Sequence, residues 1–451
     1  MAKFRSSSKP LRTFKPKRRQ VPAGKYTLAI ESLAEDGRGV ARVNGKTVFV
    51  AGALAGEQVE VNYQQSHKRF DEAVVVKVLD ASAERVTPVC QYYSQCGGCN
   101  LQHLAATAQR DYKRKTLQSK FSGLQGDTRF DDSLLGQALH YRHRVRFAIK
   151  ADRKHFLLGF RQANSHQVVD IAECHVVKPS INALLPRIKP VLAGLKQRSS
   201  LLELSITEAA NQQLAVVVLA KQALCAEDQA VLAEFADQQD LLFELYQSGD
   251  KAKQLLFRQG SAMLFYTLQS QLNMQFAATD FTQVNPQINQ QLIDAAIDWL
   301  ALNQQDSVAD YFCGIGNFTL PIARRVKAVT GYELVADMVA KARGNAALNQ
   351  LANADFQVAD LMASGGKRSQ AYNKVLLDPP RAGAEALCQQ LLHSSAEKIL
   401  YISCNPKTLY RDADILVAGG YQLARIALAD MFPQTSHCEV LALFSLADPD
   451  H

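Results

Sequence analysis

The stretch Ser307-Val308-Ala309-Asp310-Tyr311-Phe312-Cys313-Gly314-Ile315-Gly316-Asn317-Phe318-Thr319-Leu320-Pro321 most restricts what this chain can become. An apolar run with β character enters a Gly-x-Gly turn, and helical spacing resumes after it. That is the βα turn of a nucleotide-binding α/β sheet, although the third glycine of the dinucleotide fingerprint is missing. Glu333 ends the next apolar run, Val326 to Tyr332, 19 residues past Gly314. The ribose-binding acid of such folds falls about there, and its carboxylate can accept from both ribose hydroxyls. A tight structural turn would look much the same, so other signals must decide.

They follow in the same β–α texture, which begins near Phe276. Leu292, Ile293, Ala296, Ile297 and Leu300 share one helical face. Phe356 to Asp360 offers a second acid at a strand end. Lys374-Val375-Leu376-Leu377 ends in Asp378, and Pro379-Pro380-Arg381 then fixes the shape of the loop. Ligands of open α/β sheets bind at the carboxyl ends of the strands, where such a rigid acidic loop would stand. Ile399 to Ile402 is another short apolar strand, ended by Ser403-Cys404-Asn405-Pro406, because Asn-Pro starts turns. Cys404 is therefore expected at the carboxyl end of a buried strand. A thiolate there can act as a nucleophile, although a small buried hydrophobe is the commoner fate of a free cysteine. His437-Cys438-Glu439 precedes the last strand, Val440 to Phe444. Glu439 reads as a proton acceptor or as a paired surface acid.

A length of 451 residues suggests about three domains, and 47% apolar with 21% charged residues is ordinary for a globular chain. No run of ~18 apolar residues appears, and the basic N-terminus lacks the apolar core of a secretory signal, so a cytoplasmic location is expected. The net charge of +8 is concentrated: residues 1–20 carry eight Lys and Arg and no acid, leaving 43 basic and 43 acidic residues elsewhere. Residues 1–22 read as a disordered basic arm. Counterion release from phosphates favours a polyanion partner for it, although a solubilising tail would have the same composition.

Residues 23–82 alternate with period two, as in Tyr26, Leu28 and Ile30. Gly39 to Val43, Lys46 to Val50, Glu57 to Tyr63 and Glu72 to Leu79 continue the series, with Asn44-Gly45 as a hairpin turn. Five short strands fit an OB-like barrel, a fold that often binds RNA. Residues 83–270 read as an α+β domain. Within it, Tyr141, Val145, Phe147 and Ile149 form one face of a strand. Arg142, Arg144, Arg146 and Lys150 form the other, either a phosphate-tracking strip or a solvated charged face.

The nine cysteines are odd in number, against a disulfide framework. Cys90-x5-Cys96-x2-Cys99 contains Gly97-Gly98, which lets the backbone fold tightly around a bound centre, and Cys174 is the best fourth ligand. Four thiolates suit a [4Fe–4S] cluster or zinc, and one long spacing with a distant fourth ligand favours the cluster. A radical S-adenosylmethionine enzyme would keep three cysteines and an open iron. Cys174 would fill that position, so a closed, non-catalytic cluster is expected.

Taken together, Asp378-Pro379-Pro380-Arg381, Ser403-Cys404-Asn405-Pro406 and His437-Cys438-Glu439 resemble the RNA uracil-C5 methyltransferases. Phe281-Thr282-Gln283-Val284-Asn285 and the Gly314-Ile315-Gly316-Asn317-Phe318 loop match as well. The resemblance covers nearly the whole chain beyond the arm. It implies a TRAM domain at 23–82, an iron–sulfur site of Cys90, Cys96, Cys99 and Cys174 in the central domain, and a Rossmann-like S-adenosylmethionine-dependent methyltransferase domain at 271–451. It further implies Cys404 as nucleophile and Glu439 as base. Gln283, Phe312, Asn317, Glu333, Asp360 and Asp378 would bind S-adenosylmethionine, with Asp360 standing where relatives carry asparagine. Barrel plus cluster is the combination of the branch that acts on large-subunit, 23S rRNA, and no obligate protein partner is evident. Other RNA targets, a cytosine-C5 enzyme, a dinucleotide oxidoreductase and a non-catalytic RNA-binding iron–sulfur protein are the rival readings.

Overall fold

A computed structural model of the chain describes residues 21–22, 24–124, 127–249, 253–261, 263–269, 271–362 and 371–446. The basic arm expected at 1–22 therefore lies almost wholly outside the described residues. The chain divides into two compact units, one ending at Arg85 and one beginning at Val86.

The first unit is a single antiparallel-rich sheet of six strands, one more than the five expected. The addition is the two-residue strand Ser32–Leu33, which pairs with Gly39–Val43. Alternation gives the sheet one apolar face, where Leu28, Ile30, Val48, Val50, Val59 and Val61 form the core. Asn44 and Gly45 both have positive φ, 49° and 77°, as the two-residue turn between Gly39–Val43 and Lys46–Ala51 requires. Glu57, 1% exposed, would be costly without a partner. Arg85 Nη2 supplies one at 2.7 Å and the Leu54 amide another at 2.8 Å.

The second unit contains two large sheets. A seven-stranded sheet runs from Val168–Asp170 through Phe156–Arg161, Arg144–Ala151, Leu201–Glu208, Leu214–Ala220 and Leu242–Gln247 to Gln254–Gln259. Helices Pro179–Gly194 and Ala226–Gln238 contribute Ile181, Leu184, Leu185, Ile188 and Leu232 to its core. Val145, Phe147 and Ile149 are buried there, and the opposite face of their strand splits. Arg146 and Lys150 are exposed. Arg144 turns inward, and its Nη2 donates to the Ala278 carbonyl at 3.1 Å. The expected basic strip is thus shorter than the alternation suggests.

The eight-stranded sheet has the order Ala354–Val358, Ala328–Glu333, Ser307–Tyr311, Lys374–Leu377, Lys398–Ser403, Glu439–Leu446, Tyr421–Ala429, Arg129–Phe130. The first five strands are parallel. Strand order reverses between Ser307–Tyr311 and Lys374–Leu377, so the crevice outside their carboxyl ends is the natural ligand position. The last strands in sequence close the sheet antiparallel.

A contiguous division of the chain at residue 270 does not describe this packing. Helix Ala106–Phe121 and strand Arg129–Phe130 precede the seven-stranded sheet in sequence but pack on the eight-stranded one. Leu117, Phe121 and Leu124 join the core that also contains Tyr401, Leu409 and Val440. Among the described residues, no helix is long and apolar enough to cross a membrane.

Candidate active site

Strand register brings the three sequence motifs together. Lys398–Ser403 pairs antiparallel with Glu439–Leu446, with Ser403 opposite Val440. Cys404, one residue past the first strand, therefore stands across from Glu439, which opens the second. On the other side Leu377 pairs with Tyr401, so Asp378 leaves the sheet next to the same spot. Continuing along the edge, Leu377 also pairs with Tyr311, and Tyr311 with Tyr332. Phe312 and Glu333 follow in that order. Asp378, Cys404 and Glu439 thus lie at one end of a single crevice edge and Phe312 and Glu333 at the other.

The Gly-x-Gly turn bends as its sequence demands. Phe312, Gly314 and Gly316 all have positive φ, 68°, 56° and 94°. For phenylalanine that backbone is strained, a feature that concentrates at ligand sites. Glu333 steadies the turn: its Oε2 accepts from Gly314 N at 3.2 Å and its Oε1 from Val335 N at 3.0 Å. Leu334, Val335, Val358 and Met362 expose apolar surface at the ends of the neighbouring strands. Asp360 Oδ1 accepts from Met362 N at 3.0 Å and so shapes the loop that carries it.

Asn317 is fixed by groups the sequence did not single out. It exchanges two hydrogen bonds with Asn289, at 2.9 and 2.8 Å, and accepts one from Tyr266 at 3.3 Å. Asn289 sits on the buried face of helix Pro286–Leu300, where an amide is out of place on the apolar stripe; that mismatch was the available signal. Gln283 donates to Asp378 Oδ2 at 3.5 Å, linking the Phe281–Asn285 segment to the acidic loop. Phe281, 67% exposed, leaves its ring open. A cavity of about 700 Å³ opens beside Gln283 and is lined by His143, Tyr266, Thr282 and Asn289. Of the residues expected at the cofactor, only Gln283 lines it.

The electrostatics of the edge are unusual. Glu439, 4% exposed, has its carboxyl raised well above the ordinary range, first by burial and then by the Asp378 charge; Arg381 pulls the other way. Burial pushes Asp378 up to about 7. The Cys404 thiol is raised by burial, then by Glu439, with Arg381 opposing and Asp378 adding. Asp310, beneath the glycine turn, is pushed up to about 7 by burial despite a hydrogen bond from Thr319, and its Oδ1 has no partner. Such a run of acids with displaced proton affinities in one crevice marks a functional site.

The loop after Asp378 is clamped by the helix after Cys404. Arg381 O accepts from Asn405 Nδ2 at 2.9 Å and from Thr408 Oγ1 at 3.3 Å; Ala384 N donates to Asp412 at 2.7 Å. Asn405 also caps helix Pro406–Ala418 by accepting from Lys407 N at 3.2 Å. Gly383, at φ +79°, has no room for a side chain: a Cβ would stand 2.5 Å from Asp412 Oδ2.

The four cysteines expected to act together line one small cavity, with Tyr92, Gln102, Arg142 and Glu173. Burial raises all four thiols, Cys99 to about 12 and Cys174 to about 11. Gly97 packs so closely that a Cβ would meet the Arg161 carbonyl at 2.9 Å. Among the described residues, no three His, Cys, Asp or Glu side chains converge on the position of a single metal ion.

A parallel sheet with a glycine turn held by Glu333 and a cysteine–carboxylate pair at its edge defines a methyltransferase-like α/β domain. The family model for tRNA (Uracil-5-)-methyltransferase matches residues 105–446, and a TRAM domain model matches 24–76. The chain belongs to this uracil-C5 methyltransferase family. It is 41% identical over 421 residues to the 23S rRNA (uracil(1939)-C(5))-methyltransferase RlmD of Mannheimia succiniciproducens, covering 92% of this chain and 94% of that one. It is 40% identical over 437 residues to the protein of the same name from Haemophilus parainfluenzae, covering 96% and 99%. Among solved structures, the Pyrococcus abyssi tRNA (uracil-54, C5)-methyltransferase in complex with S-adenosyl-L-homocysteine shares the fold. Its TM-score is 0.74 at 24% identity, over 93% of this chain and all of that one.

Proposed function

We propose that this chain methylates C5 of one uridine in 23S rRNA, using S-adenosylmethionine, through a transient bond between Cys404 Sγ and C6 of the base. The observation that carries the reading is the pairing of Cys404 with Glu439 across two strand ends, beside Asp378. Uracil C5 is a poor nucleophile until C6 is substituted, so the reaction needs one thiolate, one base and one held methyl donor. Cys404 adds to C6, and C5 becomes electron-rich, so that C5 would take the methyl group of a bound donor as the methyl–sulfur bond breaks and would then carry both the methyl group and its proton. Glu439 then accepts the C5 proton, and the thiolate leaves by elimination. A carboxylate with raised proton affinity is a better acceptor than an ordinary one. The target base has to leave its stack to reach a half-buried thiol.

Gln283, Phe312, Asn317, Glu333, Asp360 and Asp378 would hold S-adenosylmethionine. The row of acids suits its cationic sulfonium, and Glu333 suits its ribose. When bound it supplies an electrophilic methyl group. The all-sulfur donor set of Cys90, Cys96, Cys99 and Cys174, with one long spacing and a distant fourth ligand, lines one cavity and suits a [4Fe–4S] group better than zinc. Those residues would hold it as a structural centre. The TRAM unit and the exposed Arg146 and Lys150 supply RNA contacts in this reading.

The test is methyl transfer to 23S rRNA fragments by Cys404→Ala. Loss of transfer with retained RNA binding is expected, and a 5-fluorouridine substrate should trap the wild-type chain at Cys404. Transfer above a trace by the variant would refute the nucleophile. Brown colour with visible absorbance after anaerobic purification is expected for the cysteine site; a colourless zinc protein would overturn that part.

A further inference from the structure

Residues 431–438 lead from strand Tyr421–Ala429 to Glu439 without helix or strand of their own. Gln434 takes positive φ, 70°, in the middle of this segment. Its position is set from outside, by residues that follow directly on the cysteine loop. Asn100, next to Cys99, makes a reciprocal pair with Ser436: Asn100 Nδ2 donates to Ser436 Oγ at 2.9 Å, and Ser436 N donates to Asn100 Oδ1 at 2.8 Å. Asn100 N and Leu101 N both donate to Gln434 O, at 3.2 and 3.1 Å. Gln109 is buried and exchanges two bonds with Gln434, each 3.0 Å. Tyr141, buried, donates to Pro433 O at 3.2 Å. Lys113, fully buried, closes the near end on Asp430 at 2.7 Å and on Phe432 O at 3.1 Å.

We propose that the cysteine loop is the mount for the catalytic base: Asn100, backed by Gln109 and Tyr141, is a positioning residue that seats 431–438 and so aims Glu439 at the substrate C5 proton. The proposal rests on the reading of Glu439 as base. The step concerned is the last one. The C5–H bond breaks, its proton goes to a Glu439 oxygen, its electron pair forms the C5–C6 double bond, and the C6–S bond breaks to return Cys404 as thiolate. A base held off its mark slows this step and leaves cofactor binding and thiol addition alone. The same mount gives the sulfur-rich site a role at a distance: whatever orders Cys90 to Cys99 also orders the segment before Glu439.

The experiment uses the full chain and RNA deuterated at C5 of the target uridine. Asn100→Ala changes an exposed side chain, so folding is retained. It is expected to raise the deuterium isotope effect on turnover about twofold or more, to let a covalent RNA adduct accumulate as Glu439→Gln does, and to speed amide exchange within 431–438. Asn100→Asp should restore wild-type values, because its oxygens can accept from both the Ser436 amide and the Ser436 hydroxyl. Cys99→Ser should speed exchange in the same peptide. An unchanged isotope effect and unchanged exchange in Asn100→Ala, with Glu439→Gln accumulating adduct, overturns the mount while leaving the base in place. No adduct in Glu439→Gln itself would remove the base, and the proposal with it.

Discussion

At the scale of single residues, burial raises the proton affinity of Glu439, Asp378 and Asp310, and this makes activity and stability pH-dependent in opposite senses. In the proposed reaction Glu439 has to be ionised to accept the C5 proton, and its affinity is raised well above the ordinary range. The acid limb of the methylation rate should therefore lie well above the pH range in which an ordinary carboxylate titrates, as a pH–rate profile would record. Glu439→Gln should instead hold RNA as a slow-migrating adduct on a denaturing gel at every pH. Asp310 is raised from 3.8 to about 7 in the folded state. Its proton is kept on folding between those values, so its contribution to stability is present below pH 4 and is lost as pH rises towards 7. Asp310→Asn should gain on the wild type in urea midpoint between pH 5 and pH 8. A constant difference across that range would mean the Asp310 carboxyl is ionised throughout.

At the scale of elements, the clamp between the helix after Cys404 and the loop after Asp378 depends on one backbone conformation. Gly383→Ala places a side chain in left-handed backbone, a cost of about 1–2 kcal/mol, and drives it against Asp412. The expected result is a displaced Arg381 and slower modification of Cys404 by iodoacetamide. An unaltered alkylation rate would mean that the loop holds without the glycine. Helix Ala106–Phe121 shows why some elements escape a sequence reading. Leu117 and Phe121 are apolar and buried, but Gln109 and Lys113 are buried too, and their side chains reach Gln434 and Asp430, more than three hundred positions later. A polar residue on a buried face cannot be recognised until its partner is known. Lys113→Ala should cost about 3–5 kcal/mol, because it leaves Asp430 buried and alone. Asn44-Gly45 and Asn405-Pro406 carry their geometry locally and were legible.

At the scale of the whole molecule, the unit ending at Arg85 has its own apolar core and its own buried ion pair. Deleting 1–85 should leave cofactor binding by the remainder intact and weaken RNA binding. Eight arm cations would go with it, so the dependence of affinity on salt should flatten as well. Unchanged RNA affinity at low and moderate salt would assign binding to the second unit alone.

The sequence by itself determined the local patterns: a strand ending in Cys404, another ending in Asp378, a glycine turn answered by Glu333, three cysteines grouped by spacing. Each is a local pattern, in which strand period, proline and glycine dictate the backbone within a few residues. Tertiary structure alone decided that Cys404 faces Glu439, that Arg144 turns inward while Arg146 stays out, and that residues 100–141 seat the segment before Glu439. Those arrangements are hydrogen bonds and registers between distant parts of the chain, and nothing local to either partner encodes the meeting.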